Sequence, residues 1–317
     1  MRILVTGCLG FIGSYFVKYI LDNFANVEVR GFSRDSDQRS MLRLSEEGYD
    51  HNDRFRLIFG DLSSGISGLC EHIDVIINFA AKTFVDHSIK DAKPFIESNI
   101  IGTYNLLEEA RKYNVKKFCQ ISTDEVYGAI LKGAYKEDAP LNPTNPYSST
   151  KAAADLLVLS YYNTYNLDYI ITRTENNYGP YQHPQKAIPV FIKKALNNEP
   201  LPIYGDGKHR RMWLHVEDHC RGIWHLIQND CTGIYHIAGE QELENIELAK
   251  RILNILDKPL ALIRLVPDFD IRPGHDRRYA LNVDKIQGTG WKPKWTLDEG
   301  LKEVVKWYEK NEWWMKG

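Results

Sequence analysis

Met1-Arg2-Ile3-Leu4-Val5-Thr6-Gly7-Cys8-Leu9-Gly10-Phe11-Ile12-Gly13 opens the chain, and its reading decides the fold. Ile3-Leu4-Val5 reads as a short buried strand, and Ile12 to Leu21 as a helix. Between them the glycines are spaced G-x-x-G-x-x-G. Glycine permits a tight strand-to-helix turn and a close approach of ligand to backbone. The helix that follows offers unpaired N–H groups and the positive end of its dipole, which suit a pyrophosphate. This context makes Gly7, Gly10, Phe11, Ile12 and Gly13 a dinucleotide-binding turn.

Working outward, short apolar strands alternate with amphipathic helices. Val27–Phe32, Arg56–Phe59, Val75–Phe79, Lys117–Ser122 and Tyr169–Arg173 read as strands. Helices are expected at about Pro94–Tyr113, with Ile96, Ile100, Tyr104 and Leu107 at helical spacing, and at Tyr147–Tyr165, with Pro146 in its first turn. Such alternation argues for an α/β fold, a Rossmann doubly wound parallel sheet. After about residue 175 prolines and loops increase, and helical stretches recur near Ile188–Asn197, Glu217–Gln228, Asn245–Leu256 and Asp298–Asn311. The expected organisation is a dinucleotide-binding domain over residues 1–175, with a return segment at about 213–238, and a smaller α/β C-terminal substrate domain over 176–317.

The 317 residues are 43% hydrophobic and 26% charged, with a formal net charge of −2. That charge supplies no general drive toward nucleic acid or an anionic membrane. No apolar run approaches the roughly 20 residues that span a bilayer, and Gly7 begins a turn where a secretory signal would continue. The five cysteines are odd in number and lack C-x-x-C spacing, so reduced thiols, no metal site and a cytoplasmic protein are expected.

An NAD site usually ends its second strand on an acid that binds the ribose 2′-hydroxyl. Here that place holds Phe32-Ser33-Arg34, and Asp35 and Asp37 come slightly late. Ser33 and Arg34, with Arg39 nearby, suit a 2′-phosphate, so the expected cofactor is NAD(P), leaning to NADP. Asp61 and Leu62 are placed at the adenine edge, and Ala80 and Ala81 let the cofactor lie close to the backbone.

Tyr147 and Lys151 stand four apart at a helix start and so share a face. An ammonium beside a phenol lowers the phenol's pKa, and such a tyrosine accepts a proton while hydride leaves the same carbon. Thr123-Asp124-Glu125 follows the fifth strand. Two adjacent carboxyls there suit paired acid and base work, one kept protonated and one ionised.

With these residues in place, the chain resembles the extended short-chain dehydrogenase/reductase family, and within it the dTDP-glucose 4,6-dehydratases. The resemblance covers nearly the whole chain. It is carried by Ser122-Thr123-Asp124-Glu125-Val126-Tyr127-Gly128, Pro146-Tyr147-Ser148-Ser149-Thr150-Lys151, Asn176-Asn177-Tyr178-Gly179-Pro180-Tyr181 and Arg272-Pro273-Gly274-His275-Asp276-Arg277-Arg278-Tyr279. It implies a nucleotide-sugar 4,6-dehydratase that recycles a tightly bound cofactor. Tyr147 takes the 4-hydroxyl proton beside Thr123, Lys151 tunes Tyr147 and holds the ribose, Glu125 removes the C5 proton, and Asp124 protonates the departing 6-hydroxyl. It also implies nucleotide-sugar contacts at Asn177, Lys186, Ala187, Tyr204, Arg211, Asn245, Arg272 and His275, and a homodimer built on the two long helices.

Epimerases and decarboxylases share the fold and the Tyr–Lys pair but usually lack Thr-Asp-Glu. A cofactor-sensing protein of the same fold would need no catalytic tyrosine. The chain departs from the dTDP-glucose pattern at three places: Ala80-Ala81-Lys82-Thr83-Phe84-Val85-Asp86 replaces Ala-Ala-Glu-Ser-His-Val-Asp, Arg211-Met212-Trp213 replaces Arg-Asp-Trp, and Thr174-Glu175 replaces Cys-Ser. Lys82, Phe84 and Glu175 are therefore expected to bear on the sugar pocket. The aromatic cluster Trp307, Tyr308, Trp313 and Trp314 is expected to be packing.

Overall fold

The computed structural model describes residues 1–34, 38–49, 51–267 and 276–315. In chain order its strands are β1 (Arg2–Thr6), β2 (Glu28–Ser33), β3 (Phe55–Phe59), β4 (Val75–Asn78), β5 (Lys117–Thr123), β6 (Asp168–Thr174), β7 (Asn176–Tyr178), β8 (Leu201–Tyr204), β9 (Arg210–His215), β10 (Gly233–Ile237), β11 (Glu242–Glu244) and β12 (Ile263–Val266). Seven of them form one sheet in the order β10-β6-β5-β4-β1-β2-β3, every neighbour parallel.

Residues of β1, β4 and β5 alternate between two apolar cores, as a two-residue period requires. Ile3, Val5, Val75, Ile77, Cys119 and Ile121 join Phe16, Val17 and Ile20 of the helix Phe11–Asn23 on one face. Leu4, Ile76 and Phe118 join Leu106, Leu107 and Val158 on the other. Both faces are covered, which is why these strands read as nearly unbroken apolar runs. The strand order reverses between β1 and β4, so the crevice at their carboxyl ends is a ligand-binding switch point.

Beyond β6, a third core gathers Ile188, Ile192, Leu201, Ile203, Leu248, Ile252, Leu301 and Val305 from β8 and the helices Ala187–Leu196, Asn245–Ile255 and Leu297–Lys310. Two small sheets, β11-β9-β7 and β12-β8, accompany it. The C-terminal aromatics pack here. Trp307 lies 4.4 Å from the Tyr181 ring, and Tyr308 Oη and Trp314 Nε1 both donate to the Gln182 carbonyl at 3.0 and 2.9 Å.

One helix differs from its sequence pattern. The stretch expected as a single helix is α-helical at Lys93–Phe95, π-helical at Ile96–Ile101, and α-helical again at Gly102–Lys112. The wider π turn admits an extra residue and points Asn99 inward. The Asn99 amide accepts from Lys82 N at 2.8 Å and donates to Lys82 O at 3.1 Å and Thr150 Oγ1 at 3.0 Å. Broken helical geometry thus stitches the loop after β4 to the helix that carries Tyr147.

Candidate active site

Gly7 leaves β1 at φ +64°, and a Cβ there would stand 2.8 Å from Ala80 N. A Cβ at Gly13 would collide with the Gly7 carbonyl oxygen. The turn therefore closes only around glycine at both positions. Gly10 starts the helix without a side-chain cap, and Phe11, Ile12 and Gly13 form its first turn. Above it opens a cavity of about 300 Å³ lined by Gly7, Gly10, Ser33, Arg34, Asp61, Leu62, Ala80 and Ala81. A helix N-terminus with uncapped N–H groups, facing a cavity walled by close backbone, fits a dinucleotide pyrophosphate. At the far end Arg34 Nη1 lies 3.8 Å from Asp61 Oδ2, and Asp61 also accepts from Ser63 N at 2.8 Å and Ser63 Oγ at 2.7 Å. Asp35 and Asp37 lie outside the described residues.

At the carboxyl end of β5 the chain turns into a 3₁₀ turn, Asp124–Tyr127, capped by Thr123. The neighbouring helix, Pro146–Tyr165, begins with Asn145 and Ser148 in a reciprocal capping box. Such a cap is worth about 1 kcal/mol, and it fixes the turn from which Tyr147 projects. Tyr147 N is also tied to Ser88 Oγ at 3.1 Å. Thr123, Asp124, Tyr147 and Lys151 are all buried in one place.

Thr123 Oγ1 donates to Asp124 Oδ1 at 3.0 Å, accepts from Glu125 N at 3.3 Å, and is hydrogen-bonded to the Tyr147 phenol. Burial, then the Glu125 charge, pushes Asp124 up to about 7. Burial raises Glu125 as well. That rise is countered only in part by the Asn145 amide, which donates to Glu125 Oε2 at 3.3 Å, and by the Arg211 and Lys186 cations. The two acids thus have unlike surroundings: Asp124 is poised to hold a proton, and Glu125 faces more groups that favour charge.

The expectation for Tyr147 is corrected in sign. Its phenol is raised, not lowered, by burial and then by the charges of Glu125 and Asp124. Lys151 is itself pushed down to about 8 by burial, and its Nζ donates to the Ile121 carbonyl at 2.5 Å. A dry pocket with two acids outweighs the local Tyr–Lys pair. One turn further along the helix, buried Asp155 meets Arg173 Nε and Ser122 Oγ, both at 3.0 Å, and locks the helix to β5 and β6.

The expected substrate residues divide. Arg211 is buried 4.5 Å from the Tyr279 ring centre, and its guanidinium donates to the carbonyls of Arg210, Asp276 and Arg277. Asn177 is buried on β7, its side-chain amide donating to Glu175 O at 3.1 Å. Lys186 and Ala187 begin the helix Ala187–Leu196, Tyr204 ends β8, and Asn245 begins the helix Asn245–Ile255, its N–H on the His209 carbonyl at 3.0 Å. Arg272 and His275 lie outside the described residues.

Comparison with known proteins agrees with this geometry. Residues 4–304 match the GDP-mannose 4,6 dehydratase family. The chain is 42% identical to a dTDP-glucose 4,6-dehydratase of Streptomyces niveus, over 99% of this chain and 95% of that one. The chain belongs to the nucleotide-sugar 4,6-dehydratases. It is also 44% identical to the low-salt glycan biosynthesis protein Agl12 of Haloferax volcanii, over 97% and 98% of the two chains. The dTDP-glucose 4,6-dehydratase DesIV of Streptomyces venezuelae, solved with NAD bound, superposes with a TM-score of 0.91 at 41% identity, over 100% and 99% of the chains. A UDP-glucuronic acid 4-epimerase of Bacillus cereus superposes with the same TM-score at 29% identity, over 98% and 99%.

Within this dehydratase the departures from the dTDP-glucose pattern have definite places. Lys82 is held through its backbone by Asn99. Phe84 stacks on His87 at 5.1 Å, meets His183 edge-on at 5.1 Å, and carries Lys186 Nζ 4.3 Å above its ring. Glu175 is buried beside Asp124, and Met212 donates its N–H to it. Sequence reasoning missed Ser88, Asn99 and Asn145 as supports of the dehydratase site. Only Asn145 carried a local signal, an asparagine immediately before the proline of a helix start.

Proposed function

We propose that this protein removes water from a nucleoside-diphosphate hexose, with dTDP-glucose the first candidate, to give the 4-keto-6-deoxy sugar. Residues 1–175 with 213–238 hold the cofactor, and 176–317 hold the nucleotide sugar. The observation that carries the reading is the convergence of Tyr147, Thr123, a carboxyl raised to about 7 and a second carboxyl faced by cations. A nicotinamide dinucleotide held by Gly7, Gly10 and Gly13 would supply the hydride acceptor for C4 and the hydride for C6, and Glu125 would return its proton to C5 to complete the product. Tyr147 accepts the 4-hydroxyl proton, and Thr123 orients the phenol. Once C4 is a ketone the C5 proton is acidic, and Glu125 removes it. Asp124 gives its proton to the 6-hydroxyl, which leaves as water. Lys151 keeps a cation beneath the helix start, and Arg211, Asn177, Lys186, Ala187, Tyr204, Asn245, Arg272 and His275 hold the nucleotide sugar. An epimerase has no step that needs the protonated carboxyl.

The finer cofactor choice turns on Arg34. Half of its side chain is exposed at the cavity's end, beside Ser33, where a guanidinium suits a 2′-phosphate, and this supports NADP. The solved DesIV relative holds NAD. One preparation tests both points. Incubated with dTDP-, UDP-, GDP- and CDP-hexoses, the protein is expected to convert one of them to a product lighter by one water. Denaturation is expected to release NADP. An unchanged product mass with cofactor present would move the assignment to epimerisation, and release of NAD alone would leave Arg34 as the partner of Asp61.

No helix among the described residues is long and apolar enough to cross a membrane, and the reading is of a cytoplasmic homodimer. Ile96, Ile101 and Tyr104 on one long helical stretch, and Leu156 and Tyr162 on the other, are exposed apolar residues. Two copies that pair these helices would cover them as a four-helix bundle. Leu156→Glu is expected to turn a dimer into a monomer by light scattering. A monomeric wild-type protein would refute the dimer.

A further inference from the structure

The carboxyl ends of β5 and β6 are in register, Thr123 opposite Thr174. One step further along each strand stands a buried acid, Asp124 on the first and Glu175 on the second, 5% and 4% exposed. Glu175 is fixed by both its oxygens. Oε2 accepts from Met212 N and Oε1 from Leu281 N, each at 2.9 Å. Asp124 is treated unequally: Oδ1 accepts from Thr123, whereas Oδ2 is buried with no hydrogen-bond partner among the described residues. A carboxylate held by two N–H donors tolerates charge. A buried oxygen with no donor does not, and is better suited to carry a proton.

The groups facing this pair are few. Glu125 adds a further acid from the same turn, and Tyr147 and Tyr279 add phenols. Arg211 from β9 is the cation that acts on both acids, and its N–H groups are already directed at three backbone carbonyls. One guanidinium faces the two buried carboxyls, with half-buried Glu125 beside them, and like charges so placed favour keeping a proton. The two acids also interact electrostatically. Burial and then the Glu125 charge raise Asp124, and burial and then the Asp124 charge raise Glu175 well above the usual carboxylate range.

We propose that Glu175 is a positioning residue that shares one proton with Asp124, so that the acid meeting the departing 6-hydroxyl is protonated at neutral pH. This rests on the reading of Asp124 as the acid of water loss. It gives a use to a residue that stands where the dTDP-glucose pattern has serine, without placing it against the sugar.

Because Asp124 must be protonated to act, the rate of water loss falls as pH rises through the pair's pKa. Removing the neighbouring charge lowers that pKa. Glu175→Gln is therefore expected to move the falling limb of kcat down by at least one pH unit, with KM little changed, and Glu175→Ser to move it in the same direction. A uniform loss of activity at every pH, with the limb in place, would make Glu175 a structural anchor and overturn the proposal. The proton is also readable without turnover and without a Glu175 variant. Difference infrared spectra of resting wild type against Asp124→Asn at neutral pH are expected to show one protonated-carboxyl band lost. No lost band would refute the shared proton. If the band is lost but Asp124→Asn still removes water at full rate, Asp124 carries the proton but its acid role fails; if the band is also lost from Glu175→Gln at neutral pH, the sharing stands, and if Glu175→Gln keeps the band it is overturned.

Discussion

Tyr147→Phe is expected to lower kcat about a thousandfold, with KM for the nucleotide sugar little changed. General acid–base groups contribute about 10²–10⁴ in rate, and a factor of 10³ corresponds to about 4 kcal/mol of barrier. The ring is buried, its backbone is pinned to Ser88, and its hydroxyl meets Thr123. Phenylalanine keeps the ring packing and loses only the hydroxyl proposed to receive the 4-hydroxyl proton. The defect falls on oxidation, the first chemical step, so mixing the variant with substrate should produce neither a reduced-nicotinamide signal nor loss of water. The raised phenol pKa gives a second readout. Burial and two acids disfavour the phenolate, so the oxidation step in the wild type should quicken as pH rises while water loss slows. Turnover by the phenylalanine variant above about a tenth of wild type would remove Tyr147 from the proton step, since one general base accounts for more than that.

The glycine turn was legible because its requirement is local. The clash of a Cβ at Gly13 with the Gly7 carbonyl belongs to the turn itself. The central strands were legible for a similar reason, since strands buried on both faces leave apolar runs in the sequence. The π turn was not. Ile96, Ile100 and Tyr104 keep a helical spacing through it, and only the structure shows Ile96 and Tyr104 facing outward while Asn99 faces in. The supports of the site were hidden by sequence distance. Asn99 and Thr150 are 51 residues apart, Ser88 and Tyr147 are 59, and Glu175 and Leu281 are 106. The sign of the Tyr147 shift failed for the same reason. Lys151 is four residues away and visible, but the burial that governs the phenol comes from the whole fold. Arg272 and His275 lie outside the described residues, so their roles rest on resemblance.

Asp124→Asn is expected to slow water loss about a hundredfold while leaving oxidation largely intact, the lower end of what one general acid contributes. Asparagine keeps the shape of the side chain and an oxygen for Thr123, but has no proton to give. The reduced cofactor should therefore build up after mixing with substrate, the opposite of the Tyr147→Phe result. The wild-type pH profile follows from the same group. An ordinary aspartate near 3.8 would be protonated in only about one molecule in a thousand at pH 7. Raised to about 7, it is protonated in roughly half of them. Water loss should fall about tenfold per unit above that pH as Asp124 loses its proton, and fall again at lower pH where Glu125, itself raised by burial, takes one up. An acid that titrates near the working pH can give up its proton and take one back within the same cycle, which a site that only stabilised charge would not need. A profile that stays level well above pH 7, or an asparagine variant that removes water at the wild-type rate, would assign the proton to another group.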